Sequence, residues 1–241
     1  MSPVRGAASA LVIAVCLVRC PCLEAYGLFP AIGEDAGHLL DTAPLVSLGA
    51  GAALSTAAFL TECPHGNEGF MGHGFLEDCS EVCDAAFGWP LLGGAVALWA
   101  GGTLADSPDT EEAGQMLTEG LLITYGFTGL LKLGTGRLRP DGSNYRSFPS
   151  GHAAGSACVA VIVWDRWGPE AGIPAALIAG FTALSRVTLG KHYPSDVIAG
   201  AAIGASAGLA VAGAHSPGDA DTVVPAVRVW WDTEGGLGLG I

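Results

Sequence analysis

FPSGHAAGSACVAVIVW, residues 148–164, sets a compact polar turn directly in front of an apolar run from Ala153 to Trp164. Ser150 is a natural helix N-cap, and Gly151 lets a ligand approach the backbone closely. The free N–H groups of a first helical turn favour an anion, and His152 projects into the same space. An ordinary capping turn beside an incidental histidine would look the same locally, so this stretch alone leaves both readings open. Similar runs recur at Thr42–Thr61, Ala85–Ala105, Gln115–Leu131, Ala171–Leu184 and Val197–Ala214. They are long, rich in Ala, Leu and Gly, and show no strict alternation, so helix is the better reading. With Ala153–Trp164 they predict an all-α bundle of about six helices. Three of the six clearly reach the roughly 17–25 residues that a bilayer-spanning helix needs.

Composition supports a membrane-associated or densely packed helical chain. Half of the 241 residues are hydrophobic and 14% are charged, with a mean hydropathy of +0.46. The net charge of −13 argues against a nucleic-acid partner, which would need a basic face. The cations are unevenly placed. Seven of the ten Lys and Arg lie between 132 and 191: Lys132, Arg137, Arg139, Arg146, Arg166, Arg186 and Lys191. A cationic cluster in an acidic protein suggests a small anionic ligand, although solvated surface pairs would also account for it.

Two further stretches carry polar residues in apolar surroundings. KLGTGRLRP (132–140) places Lys132 near the end of a helix, with Arg139 and Pro140 beyond it. Alone, Lys132 could simply satisfy terminal helix carbonyls. SRVTLGKHYPSD (185–196) ends one helix at Arg186, turns through Gly190-Lys191 and starts the next at Pro194. Asp196 then lies four residues beyond His192, where a carboxylate can fix the imidazole tautomer and stabilise charge on the ring. Together the three stretches supply three cations, a helix N-terminus, two histidines and an aspartate, which are the parts phosphoryl transfer requires.

In order, K-x6-R-P, P-S-G-H and S-R-x5-H-x3-D resemble the three signature motifs of the type 2 phosphatidic acid phosphatase (PAP2) superfamily. That superfamily also contains bacterial class A acid phosphatases and vanadium haloperoxidases. The resemblance implies a helical bundle of the PAP2/haloperoxidase type. It implies His192 as nucleophile, Asp196 as its orienter, and His152 as acid for the leaving oxygen. It further implies phosphate binding by Lys132, Arg139, Ser150, Gly151 and Arg186, with no metal and no cofactor. Ser185 and Pro140 read as structural, and Arg137, Arg146 and Lys191 as rim charges. The expected activity is a metal-independent phosphatase, acting through a phosphohistidine on a phosphomonoester or lipid (pyro)phosphate. A vanadate-dependent haloperoxidase and a non-catalytic envelope protein are the alternatives. The expected partner is a phosphate-bearing lipid or small molecule, with membrane association and an undetermined oligomeric state.

The remaining segments frame this core. Residues 1–25 combine Arg5 with an apolar run from Ala7 to Val18, as in a signal peptide cut after Ala25 or an uncleaved anchor. Arg19 and Pro21, before Cys20 and Cys22, do not suit lipoprotein processing. Export to the cell envelope, membrane-associated or periplasmic, is therefore expected. Residues 26–84 hold an N-terminal helix and a loop with Cys63, Cys79 and Cys83, of which one pair is expected to form a disulfide, the pairing left open. His65 and His73 make zinc conceivable there, but the spacing follows no usual ligand pattern. Residues 85–215 form the catalytic helical core, with Cys158 as a core residue. Residues 216–241 read as a linker and a short β-hairpin-like tail.

Overall fold

A computed structural model describes residues 28–62, 82, 88–215, 228–231 and 237–240. The signal or anchor segment, Cys63, Cys79, Cys83, His65 and His73 lie outside those residues. The described chain forms α1 (Leu28–Gly37), a 3-10 turn (His38–Leu40), α2 (Thr42–Thr61), α3 (Trp89–Leu104), α4 (Pro108–Thr135), α5 (Gly151–Thr188) and α6 (Pro194–His215). Two strands follow, β1 (Arg228–Trp231) and β2 (Leu237–Gly240). They pair antiparallel, with Arg228 opposite Gly240 and Trp231 opposite Leu237. The fold is all-α with a small hairpin after the last helix.

The helices differ from the sequence expectation at their ends and in how they join. α4 begins at Pro108 rather than at Gln115, because Asp109 and Glu111 occupy its first turn, where acidic groups complement the helix dipole. It ends at Gly136, whose φ of 53° is the left-handed conformation that closes many helices. The apolar runs Ala153–Trp164 and Ala171–Leu184 form the two helical segments expected, joined directly within α5 with no intervening loop. Gly168, with φ 70° and ψ −170°, breaks its geometry just before Pro169, so α5 is two helical segments joined at a kink. α1 is an additional short helix that the apolar runs do not mark.

α6 is the central helix and packs against α5, α2 and α4. Its contact with α5 is unusually close. A Cβ on Gly204 would lie 1.9 Å from the Ala154 carbonyl oxygen, and one on Gly200 would lie 2.3 Å from that of Ser150. Only glycine allows this approach, which brings the first turn of α5 against the first turns of α6. The core around this contact buries Leu92, Met116, Leu121, Ile162 and Val211.

α2, α5 and α6 are long and apolar enough to cross a membrane. Many large side chains on their outer faces stay uncovered, including Leu54, Phe59 and Leu60 on α2 and Leu177, Ile178 and Leu184 on α5. Such a surface suits hydrocarbon better than water. By this measure the surface is that of a membrane protein, one of the two readings that the composition left open.

Candidate active site

Three chain segments converge at one end of the bundle. Lys132 occupies the last turn of α4. Its ammonium donates to the carbonyls of Arg146, at 2.9 Å, and Pro149. It thus ties α4 to the 137–150 loop instead of satisfying its own helix. The loop is closed by Arg139 N–H donating to the Asn144 carbonyl at 3.0 Å and by Ser147 N–H donating to the Arg137 carbonyl at 2.9 Å.

Ser150 caps α5 as expected, its hydroxyl accepting from Ala153 N–H at 3.4 Å. Its own N–H donates to the Asp196 main-chain carbonyl at 2.9 Å, which joins the start of α5 to the start of α6. The nucleophile candidate sits on the short connection between those helices. Lys191 N–H and His192 N–H both donate to the Arg186 carbonyl, at 3.0 and 3.1 Å. Ser185 supports the same residue from the side, accepting from Arg186 Nε and Nη2 at 3.2 and 3.0 Å.

His192 is 2% exposed and Asp196 is fully buried. Their closest approach, Nδ1 to Oδ2, is 3.7 Å, ion-pair range but too long for a hydrogen bond. His192 Nδ1 is buried without a hydrogen-bond partner. A small ring rotation would close that gap, a tightening common when a catalytic site is filled. Burial chiefly holds the His192 pKa below its ordinary value, helped by the Lys132 and Arg139 charges and opposed by Asp196. The imidazole is therefore kept neutral, the form in which a ring nitrogen can attack.

Lys132, Arg139, Gly151, His152 and His192 all line a cavity of about 790 Å³. Ser150, Arg186 and Asp196 are buried behind it and do not form its wall. The remaining wall is largely apolar, with Trp89, Tyr125, Leu130 and Leu133. Trp89 is 60% exposed and its ring lies 5.8 Å from that of Tyr125. Tyr125 donates its hydroxyl to the Gly88 carbonyl at 3.0 Å. That bond holds Gly88 beside His152, since a Cβ on Gly88 would lie 3.5 Å from His152 Nε2. Neither Gly88 nor Tyr125 carries a sequence signal, because Tyr125 meets Gly88 across 37 residues and Gly88 meets His152 across a longer stretch still.

One expectation is corrected. Arg137 is not a rim charge. Its guanidinium lies 2.6 Å from Asp196 Oδ1 and 2.6 Å from Glu62 Oε2, and donates to Ser195 Oγ at 2.7 Å. It also stacks over Tyr193, 4.0 Å from the ring centroid. Glu62 in turn accepts from Ser195 N–H at 2.7 Å. Asp196 is thus held on both oxygens, by Arg137 on Oδ1 and by Tyr193 N–H and the Ser147 hydroxyl on Oδ2. The reason is topological, because α2 ends where α6 begins and delivers Glu62 to the site. Arg146 lines the cavity. Lys191 does fit the rim, pairing with Asp141 at 2.9 Å while 38% exposed.

A fixed cationic wall, two histidines and a clamped aspartate in a helical bundle define a site of the PAP2 phosphatase class. The comparisons agree with that class. A model of the PAP2 superfamily matches residues 116–217. The lipid A 1-phosphatase of Porphyromonas gingivalis is 36% identical over 97 residues, 38% of this chain and 22% of that protein. The decaprenylphosphoryl-5-phosphoribose phosphatase of Mycobacterium tuberculosis is 32% identical over 144 residues, 55% of this chain and 74% of that protein. Among solved structures, a transmembrane PAP2-type phosphatidylglycerolphosphate phosphatase from Bacillus subtilis shares the fold. Its TM-score is 0.51 at 24% identity, covering 78% of this chain and 94% of that one. The chain belongs to the PAP2 superfamily.

Proposed function

We propose that this protein hydrolyses the phosphomonoester or pyrophosphate of a lipid through a phosphohistidine on His192. The observation carrying this reading is the shared cavity, in which His152, His192, Lys132 and Arg139 face the same space beside apolar walls. With Nδ1 turned toward Asp196, His192 presents Nε2 to the substrate. Attack forms an N–P bond as the P–O bond to the leaving group breaks, and the leaving oxygen takes its proton from His152. His152 then takes a proton from water, the water oxygen attacks phosphorus, and the N–P bond breaks to release inorganic phosphate. Lys132, Arg139 and the Gly151 amide neutralise the phosphoryl oxygens from the cavity wall, and Arg186 adds its charge from behind it, so no step calls for a metal. Trp89, Tyr125, Leu130 and Leu133 suit an acyl or prenyl chain, and the relatives named above are phosphatases of lipid A and of decaprenylphosphoryl-5-phosphoribose. The sequence of residues 1–25 favours action on the extracytoplasmic side.

The test is phosphate release from detergent-solubilised protein, with and without EDTA, on a phosphatidate and on a soluble phosphomonoester. Lipid turnover that survives EDTA and disappears in His192→Ala is expected. Acid-quenched protein should carry covalent phosphate on a histidine. Wild-type turnover in His192→Ala, or a strict metal requirement, would overturn the mechanism.

A further inference from the structure

A second ionisable cluster lies far from the catalytic groups. Asp35 of α1, Glu119 of α4 and His215 of α6 each present a donor atom, and the three atoms lie within 4.8 Å of one another. Glu119 is 13 residues along α4 from Lys132, and His215 is 19 residues along α6 from Asp196. At 1.5 Å per helical residue those separations are about 20 and about 28 Å. The cluster is therefore at the opposite end of the bundle from the cavity.

Its hydrogen bonding is incomplete. Glu119 is fully buried, with Oε1 accepting from Gln115 Nε2 at 2.9 Å and Oε2 at 2.9 Å from His215 Nε2. Asp35 is 3% exposed, yet its Oδ2 is buried without any hydrogen-bond partner. A buried carboxyl oxygen without a partner beside a second carboxylate is unfavourable unless it is protonated or something cationic fills the gap. The group thus brings an unpartnered carboxyl oxygen, a second carboxyl group and an imidazole nitrogen within 4.8 Å of one another.

We propose that Asp35, Glu119 and His215 bind a divalent transition-metal ion of the zinc class. Two carboxylate oxygens and one imidazole nitrogen are a recognised zinc donor set, with a remaining position for water. An imidazole ligand disfavours calcium and magnesium, which take oxygen donors. Gln115 would orient Glu119 from behind, as outer partners of metal ligands do. Asp35 lies outside the family match at 116–217, whereas Glu119 and His215 lie inside it. The ion therefore fastens the N-terminal helix onto the shared core and takes no part in phosphoryl transfer.

The experiment uses the full-length protein in detergent, stripped with chelator, incubated with Zn²⁺ alone and desalted. Elemental analysis should find one zinc per chain and a melting temperature several degrees above that of the stripped protein. Asp35→Asn and Glu119→Gln should each weaken zinc binding at least tenfold, while His192→Ala should bind zinc like the wild type. Because a ligand variant can misfold, the wild-type protein is also loaded with Co²⁺. Its visible spectrum should show oxygen and nitrogen ligation with no thiolate charge-transfer band, which excludes the cysteines of the 63–83 loop. No stoichiometric uptake by the wild type, a thiolate band, or uptake unchanged in both carboxylate variants would overturn the proposal. Zinc uptake and lipid turnover are read separately, so either result can fail without the other.

Discussion

Arg137 offers the sharpest test of how Asp196 is held. Replacing it with Met keeps most of the volume and removes the charge facing Asp196 and Glu62, each 2.6 Å away. Asp196 is fully buried and the Glu62 side chain is 8% exposed, so both carboxylates would lose their cation in a place that water barely reaches. Breaking a buried pair from one side costs about 3–5 kcal/mol, and the partial exposure of Arg137 points to about 3. Asp196 would keep its Oδ2 partners Ser147 and Tyr193, so its carboxylate would pivot without leaving the site. If about 2–3 kcal/mol of the loss is felt when charge develops on His192, kcat falls roughly 30- to 150-fold. KM should barely change, because Arg137 does not line the cavity. Arg137→Lys, which keeps the charge but not the two-pronged geometry, should fall between. The assay is steady-state phosphate release from a short-chain phosphatidate in detergent micelles, with thermal unfolding as a folding control. A folded Arg137→Met enzyme within about threefold of wild-type kcat, or one altered only in KM, would refute the assignment of Arg137 as a positioning residue.

Other outcomes follow from the same geometry. Because burial lowers the His192 pKa, the acid limb of kcat/KM should lie below the ordinary histidine value of about 6.5, not at it. The linked stability term is complete above about pH 6.5 and is lost as pH falls toward the folded pKa, since the unfolded chain binds that proton first. Chemical denaturation at several pH values would check it. Gly204→Ala should destabilise by at least about 1–3 kcal/mol and lower activity, because its methyl meets a backbone carbonyl in the α5–α6 contact. Denaturant unfolding measures the first effect and turnover the second. Tyr125→Phe should cost about 0.5–1.5 kcal/mol and reduce kcat a few-fold by releasing Gly88 from beside His152. Lys191→Met is the control, since an exposed pair with Asp141 should change stability by no more than about 1 kcal/mol and turnover by less than twofold.

The parts of this site that are legible in the sequence are local in the chain. Ser150, Gly151 and His152 share one helical turn, and His192 and Asp196 sit four residues apart across a loop and a helix start. Their types and spacing state their chemistry without any tertiary information. Arg137 meets Asp196 across 59 residues, and Glu62 meets Ser195 across 133. No periodicity reports such a meeting, and a lone arginine near a turn looks like any surface cation. The helices were legible where an apolar run was unbroken. The acidic first turn of α4 was not, because charge hides a helix start from a hydrophobicity pattern even as it stabilises that start. The separation of the runs Ala153–Trp164 and Ala171–Leu184 was legible too, and the chain breaks its helical geometry between them at Gly168.

The doubly accepting carbonyl of Arg186 has a consequence for how the site tolerates change. His192 hangs by its own N–H from the residue proposed to grip the phosphate, with Lys191 bonded to the same oxygen. The proposed nucleophile and the proposed clamp therefore ride on one peptide group at the end of α5. A substitution that tilts or slides that helix end carries both together, leaving their mutual spacing intact. What it disturbs is their aim at His152, which begins α5 yet lines the same cavity because the chain turns back at the Gly168 break. On the proposed mechanism, substitutions in the half of α5 beyond Gly168 should alter leaving-group protonation before they alter phosphate capture.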